Sequence, residues 1–179
     1  MIIMSDEENI MNVRWGPTVN LAGATAAIVS SNKGHVYFYT DVTVPNIAEL
    51  QKSLQEAEET SLTLAAIEGS APKPIKLHIH SYGGNLFAGL AGMEAIRNCR
   101  VGVHTFVEGG AASAATLLSV FGTKRFITEH SYILIHQLSW GIKGKYNELK
   151  DGVANADELM KIIRKVYQEK TKIKLEKLD

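Results

Sequence analysis

Glu108-Gly-Gly-Ala-Ala-Ser113-Ala-Ala sets a hydroxyl among glycines and alanines, and Ile133-Leu-Ile-His136-Gln137 follows on a strand-like run. A serine needs a base to become a nucleophile, and a histidine is the usual one. Small residues around Ser113 let the backbone turn sharply and let a second chain come close. The chemistry open to such a pair is acyl transfer. Each residue also has a structural reading. A serine among alanines suits tight helix-to-strand packing, and His136 could be a partly buried strand histidine bonded to a backbone carbonyl. A third feature tips the balance toward chemistry. His78-Ile-His80-Ser81-Tyr82-Gly83-Gly84-Asn85 ends an alternating strand (Ile75, Leu77, Ile79) and opens an apolar-periodic stretch (Leu86, Phe87, Leu90, Met93, Ile96). A Gly-Gly turn therefore falls where a strand gives way to a helix, and free backbone N–H groups there can stabilise an oxyanion.

These residues need a scaffold. His35-Val-Tyr-Phe-Tyr-Thr40, rich in aromatic and β-branched residues, predicts a strand. After Pro45, Asn46 is placed to cap a helix with Glu49 three positions on, and Ile47, Leu50, Leu54 and Ala57 repeat at helical spacing. Leu62 to Ile67 could extend that helix, whereas Glu68 to Pro74 carries loop punctuators. Strands at 76–80, 101–107, 124–128 and 132–137 alternate with helices at about 85–98 and 113–121. That alternation predicts parallel strands with crossover helices, covered on both faces. The spacing of Tyr146, Leu149, Val153, Leu159, Ile162, Ile163 and Val166 predicts a long helix.

With 179 residues and 45% hydrophobic composition, the chain suits one domain with a substantial core. Its net charge of zero points away from nucleic acid and anionic membranes as partners. Cys99 is the only cysteine, which excludes an intramolecular disulfide, fits a reducing compartment and reads as a packing residue. Asp6, Glu7 and Glu8 stand where a secretory leader needs bases, and no uninterrupted apolar run reaches spanning length. The expectation is a soluble, cytoplasmic chain.

The order Ser-x-Gly-Gly, Gly-x-Ala-Ala-Ser, Ile-His-Gln resembles the proteolytic subunits of ATP-dependent Clp proteases. Their signatures are Asn-Ser-Pro-Gly-Gly, Gly-x-Ala-Ala-Ser-Met and Met-Ile-His-Gln-Pro. The likeness runs from about Gly34 to the C-terminus, so residues 1–33 are set apart from a protease domain at 34–179. It implies an α/β fold of the ClpP/crotonase-like ββα superhelix type, with a head domain of repeated βα units and a long projecting handle helix at about 146–170. It also implies Ser113 as nucleophile, His136 as general base, and the backbone N–H groups of Gly84 and Ala114 as the oxyanion hole. The triad Asp follows a Leu-Glu-x-Ile-like stretch in the family. Leu175-Glu-Lys-Leu178 matches that stretch, so the Asp would lie beyond Asp179 and the third member is unassigned. His80 stands for the family Asn, Tyr82 for its Pro, Ala114 for Met and Leu138 for the Pro after His-Gln.

The activity so implied is that of a serine endopeptidase cutting unfolded polypeptides inside stacked heptameric rings of the same subunit. It needs no cofactor or metal, and a separate AAA+ unfoldase feeds it, since no Gly-x-x-x-x-Gly-Lys-Ser/Thr loop occurs here. In the family the handle helix interdigitates with its mate in the facing ring, and Trp140-Gly-Ile-Lys-Gly144 matches the glycine-rich connection flanking the substrate groove. The alternatives are a weakened or inactive ring subunit, for which the missing Asp and the changes at 80 and 82 argue, and a crotonase-type acyl-CoA enzyme, which needs no Ser–His pair. Metal binding by His78 and His80, on the same face of one strand, lacks a third ligand nearby.

Overall fold

The computed structural model describes residues 2–4, 28–32, 34–139 and 141–174. Trp140 and the stretch 175–179, which includes Asp179, lie outside the described residues. The chain divides into two compact units, Met1–Ile135 and His136–Asp179.

The first unit runs β1 (Ile2–Met4), β2 (Ile28–Asn32), β3 (His35–Tyr39), α1 (Val44–Glu68), β4 (Ile75–Ser81), α2 (Leu86–Asn98), β5 (Val103–Ala112), α3 (Ala114–Val120), β6 (Lys124–Ile127) and β7 (Tyr132–Ile135). The cap of α1 is Thr43 and not Asn46. Thr43 is extended, and its hydroxyl accepts the Asn46 N–H at 3.3 Å. Asn46 sits in the first turn, where its amide donates to Thr40 Oγ1 and to the Asp41 carbonyl, at 3.0 and 2.9 Å, and fixes the loop leaving β3. Leu62 to Ile67 do extend the helix, which closes at Gly69 in the left-handed region. Asn85 caps α2 by accepting the Ala88 N–H at 2.9 Å.

The seven-stranded sheet has the order β1-β7-β5-β4-β3-β2, with β6 also paired to β5. All pairs are parallel except β2 with β3. The hub is β5, whose first half pairs with β6 (His104↔Lys124 to Val107↔Ile127) and whose second half pairs with β7 (Gly110↔Tyr132 to Ala112↔Leu134).

Alternation along the strands sorts two faces. Val36, Phe38, Ile75, Leu77, Ile79, Val103 and Val107 are at most 2% exposed and join Ile47, Leu50 and Leu54 of α1 and Ile96 of α2 in one core. Burying such side chains contributes about 1.5–3 kcal/mol each. Among the described residues of this unit no helix packs on the other face, where cover on both faces was expected. Hydrophobic β-branched runs suit a sheet buried twice over, but here every second residue is polar or aromatic. Tyr37, His78, Phe106 and Phe126 stand in register across four strands. Their rings stack at centroid distances of 4.6, 5.1 and 4.6 Å. Beside them Tyr39 Oη donates to Glu108 Oε2, His78 Nδ1 bonds Glu108 Oε1 at 2.7 Å, and His78 Nε2 lies 2.9 Å from His35 Nδ1.

The second unit holds α4 (Tyr146–Lys170), the long helix expected from its spacing. Glu148 reaches back to the Lys145 N–H at 2.8 Å and closes the first turn. Val166 and Tyr167 are buried, whereas Tyr146, Leu149, Val153 and Ile162 are exposed. Among the described residues no helix is long and apolar enough to cross a membrane.

The open face gives stability a pH dependence. Burial, with Lys76 and His78 nearby, lowers the pKa of His35; burial and Lys124 do the same for His104. A depressed histidine binds its proton less well folded than unfolded, so its contribution is complete above the ordinary value of 6.5 and is lost as pH falls below it. Burial pushes the Glu108 carboxyl up, but the hydrogen bonds from Tyr39 and His78 outweigh it and hold the group low. That contribution is lost only below the ordinary 4.5. The urea midpoint should therefore drop as pH falls below about 6.5, and a His35→Gln/His104→Gln variant should flatten that fall. An equal slope in the variant would contradict the assignment.

Candidate active site

β5 delivers Ser113, and the chain must reverse there to enter α3. The Ser113 N–H donates to the Leu134 carbonyl of β7 at 2.9 Å, and the Ser113 carbonyl accepts the Thr116 N–H and hydroxyl at 3.0 and 2.6 Å. Between those anchors the residue adopts φ 53 and ψ −129, the one non-glycine with positive φ among the described residues. Such a conformation costs on the order of 1–3 kcal/mol. Ser113 is partly exposed while Ala111, Ala112, Ala114 and Ala115 on either side are buried. Its hydroxyl makes no capping bond to α3. Ser113 thus stands strained at a strand-to-helix turn, presented out of a buried run.

The Gly-Gly turn after β4 lies directly against it. A Cβ on Gly83 would sit 2.7 Å from both the Ala112 carbonyl and Ser113 Cβ, so only a glycine lets the turn approach. Gly84, at φ 144, rests on the Val42 carbonyl with no room for a side chain. Val42 accepts the Asn85 N–H at 2.7 Å and donates to the Gly83 carbonyl at 2.8 Å. Those bonds use the groups on either side and leave out the Gly84 N–H. Ala114 opens α3, in the first turn where N–H groups lack intrahelical acceptors. Gly83, Gly84, Ser113 and Ala114 thus share one corner of the first unit.

His136 is the residue after β7 and the first of the second unit. It is exposed, and its Nδ1 lies 2.6 Å from the Gln137 carbonyl. A carbonyl only accepts, so Nδ1 carries the proton and the Nε2 lone pair of the neutral ring is free to take one. His78 is engaged with His35 and Glu108, and His80 donates from Nδ1 to the Glu108 carbonyl at 2.9 Å. Glu108, His35 and Tyr39 were not singled out from sequence. The signal was present in the i, i+2 spacing of His35-x-Tyr37-x-Tyr39, His78-x-His80-x-Tyr82 and His104-x-Phe106-x-Glu108.

The Clp protease family model matches residues 40–179, which include Gly84, Ser113, Ala114 and His136. This chain belongs to the Clp protease family. It is 35% identical over 125 residues to ATP-dependent Clp protease proteolytic subunit 2 of Treponema denticola, covering 69% of this chain and 62% of that one. It is 38% identical over 108 residues to proteolytic subunit 1 of Chlamydia felis, covering 59% and 53%. The chain therefore spans between about half and three-fifths of the length of these curated relatives. A ClpP1 mutant from Listeria monocytogenes superposes with TM-score 0.68 over 82% of this chain and 77% of its own, at 20% identity. That likeness shows the shared fold, the parallel sheet with its βα units, as the motifs led one to expect.

If the turn at Ser113 is strained, removing the Cβ should relax it. Ser113→Gly should be more stable than Ser113→Ala by about 1 kcal/mol in urea denaturation, strain relief exceeding the entropy of glycine. A Gly variant no more stable than the Ala variant would show that the turn stores no strain.

Proposed function

We propose that this chain is a serine endopeptidase subunit of Clp type, with Ser113 as nucleophile and His136 as general base. The observation that carries the reading is the strained Ser113 elbow packed against the Gly83–Gly84 turn. In this mechanism His136 Nε2 takes the Ser113 proton as Oγ attacks a peptide carbonyl, and the oxyanion is held by the N–H groups of Gly84 and Ala114. The proton passes from Nε2 to the leaving amine as the C–N bond breaks. A water then attacks the acyl-enzyme, giving its proton to His136, and Ser113 Oγ leaves with it. The Gln137 carbonyl supports the productive tautomer from the Nδ1 side. In this reading a carboxylate takes that orienting role in the active enzyme, and its residue is unassigned.

Substrates in this reading are unfolded polypeptides, delivered by a separate ATP-driven unfoldase in the cytoplasm. The protease domain comprises residues 34–179, with α4 as the handle. Tyr146, Leu149 and Val153 follow one another at i, i+3 and i+7, and with Ile162 they are between 37% and 74% exposed. An apolar row of that length favours a partner helix, and a second copy of this chain in a facing heptameric ring supplies it.

A fluorophosphonate probe should label Ser113, and Ser113→Ala should lose both the label and peptide cleavage. Labelling at Ser81, Ser119 or Ser139 in its place would overturn the assignment. In sedimentation at micromolar concentration the protein should run as rings, and a monomer alone would refute the assembly.

A further inference from the structure

The Ser113 carbonyl is held in a way that sets α3 apart from the other helices. At α1, α2 and α4 the cap carbonyl accepts the N–H four residues on: Thr43 from Ile47, Asn85 from Gly89 and Lys145 from Leu149, at 2.9, 3.0 and 2.9 Å. At α3 the Ser113 carbonyl takes both the N–H and the hydroxyl of Thr116, three residues on, at 3.0 and 2.6 Å. Thr116 is fully buried, so no water competes for that hydroxyl. Two more buried hydroxyls make bonds of the same kind further along. Ser119 Oγ donates to the Thr116 carbonyl at 2.9 Å, and Thr105 Oγ1 of β5 donates to the Ser119 carbonyl at 2.8 Å. Those two bind α3 to itself and to the sheet, whereas the bond from Thr116 reaches the candidate nucleophile.

That carbonyl shares a peptide unit with the Ala114 N–H. The unit is planar and trans, so the two groups point in opposite directions on one rigid plate, and whatever holds the carbonyl aims the N–H. The nitrogen end lies toward the Gly83–Gly84 turn, since a Cβ on Gly83 would come 3.1 Å from Ala114 N. A single N–H bond leaves the plate free to tilt about it. The Thr116 hydroxyl meets the same oxygen from a second direction, using its other lone pair, and removes that freedom. The peptide on the other side of Ser113 is already held by the Leu134 carbonyl, so both plates flanking the strained residue are pinned. An oxyanion donor helps only when it is aimed at the place where the charge develops. We infer that Thr116 is a positioning residue, which aims the Ala114 N–H at the oxyanion through the Ser113 carbonyl. This rests on the peptidase reading above.

Thr116→Val keeps the shape of the side chain and removes the hydroxyl, whereas Thr116→Ser keeps the hydroxyl. In peptide cleavage Thr116→Val should lower kcat about tenfold with KM unchanged, because the donor is engaged in the transition state. A peptide boronate, which forms a tetrahedral adduct, should bind Thr116→Val more weakly by about the same factor, and Thr116→Ser should regain most of both losses. Ser119→Ala is the control for stability. It also removes one buried hydroxyl bond, so its urea midpoint should fall about as far as that of Thr116→Val, while its kcat stays within about twofold of the wild type. An unchanged kcat in Thr116→Val, a rise in KM in place of the kcat loss, no recovery in Thr116→Ser, or an equal kcat loss in Ser119→Ala would overturn the inference and leave the peptidase reading standing. A wild type that neither cleaves peptides nor takes the fluorophosphonate at Ser113 would overturn both.

Discussion

The hydrogen bond from the Ser113 N–H to the Leu134 carbonyl holds the rest of the site in place. It keeps β5 paired with β7 up to the last residue before α3, so the reversal is confined to a single residue. Confinement forces the positive φ, and the positive φ turns the side chain out of a run of buried alanines. A looser connection of two or three residues would avoid the strain, but it would leave the hydroxyl without a fixed direction. The cost is of order 1–3 kcal/mol, comparable to the burial of one core side chain, and a core of this size carries it easily.

The second half of β5 can serve β7 only because the first half serves β6. The strand changes partner between Val107 and Gly110, around Glu108 and Gly109. Glu108 is the residue there with a side chain, and it is held by Tyr39 from β3 and His78 from β4. A carboxylate at the point where a strand changes neighbours would normally be free to swing. Two charge-assisted hydrogen bonds fix it and tie the partner change to the rest of the sheet.

Element order was largely legible in the sequence, because apolar spacing follows the core-facing side of each strand and helix. Leu86 to Ile96 and Tyr146 to Val166 became the helices their spacing required. The start of α1 was misread because Thr43 and Asn46 are both capping types. The choice between them depends on Asn46 amide bonds to Thr40 and Asp41, which no local pattern encodes. The open sheet face was missed for a related reason. Alternating apolar residues say which side is buried, whereas the residues between them signal only that they are not core, and cover is a matter of tertiary packing. The corner joining Ser113 to Gly83 was anticipated in composition, since small residues at both places imply close approach. The distances that make it a corner came only with the fold.

The two glycine pairs use the missing side chain in opposite ways. At Gly83–Gly84 the gap is filled by the Ala112 carbonyl and Ser113 Cβ on one side and the Val42 backbone on the other, so a larger residue would push the turn off Ser113. At Gly109–Gly110 the gap is filled by side chains, His80 and Tyr132, which lie over β5 in place of its own substituents. The first pair brings main-chain donors close to Ser113, and the second lets neighbouring strands reach across toward each other. Replacing one pair by the other's mode of packing would fail, because backbone cannot yield whereas a ring can shift. The departure at His80 is therefore not an isolated change, since its ring lies where a side chain on Gly109 would be, and a chain with a larger residue at 109 would have no place for it.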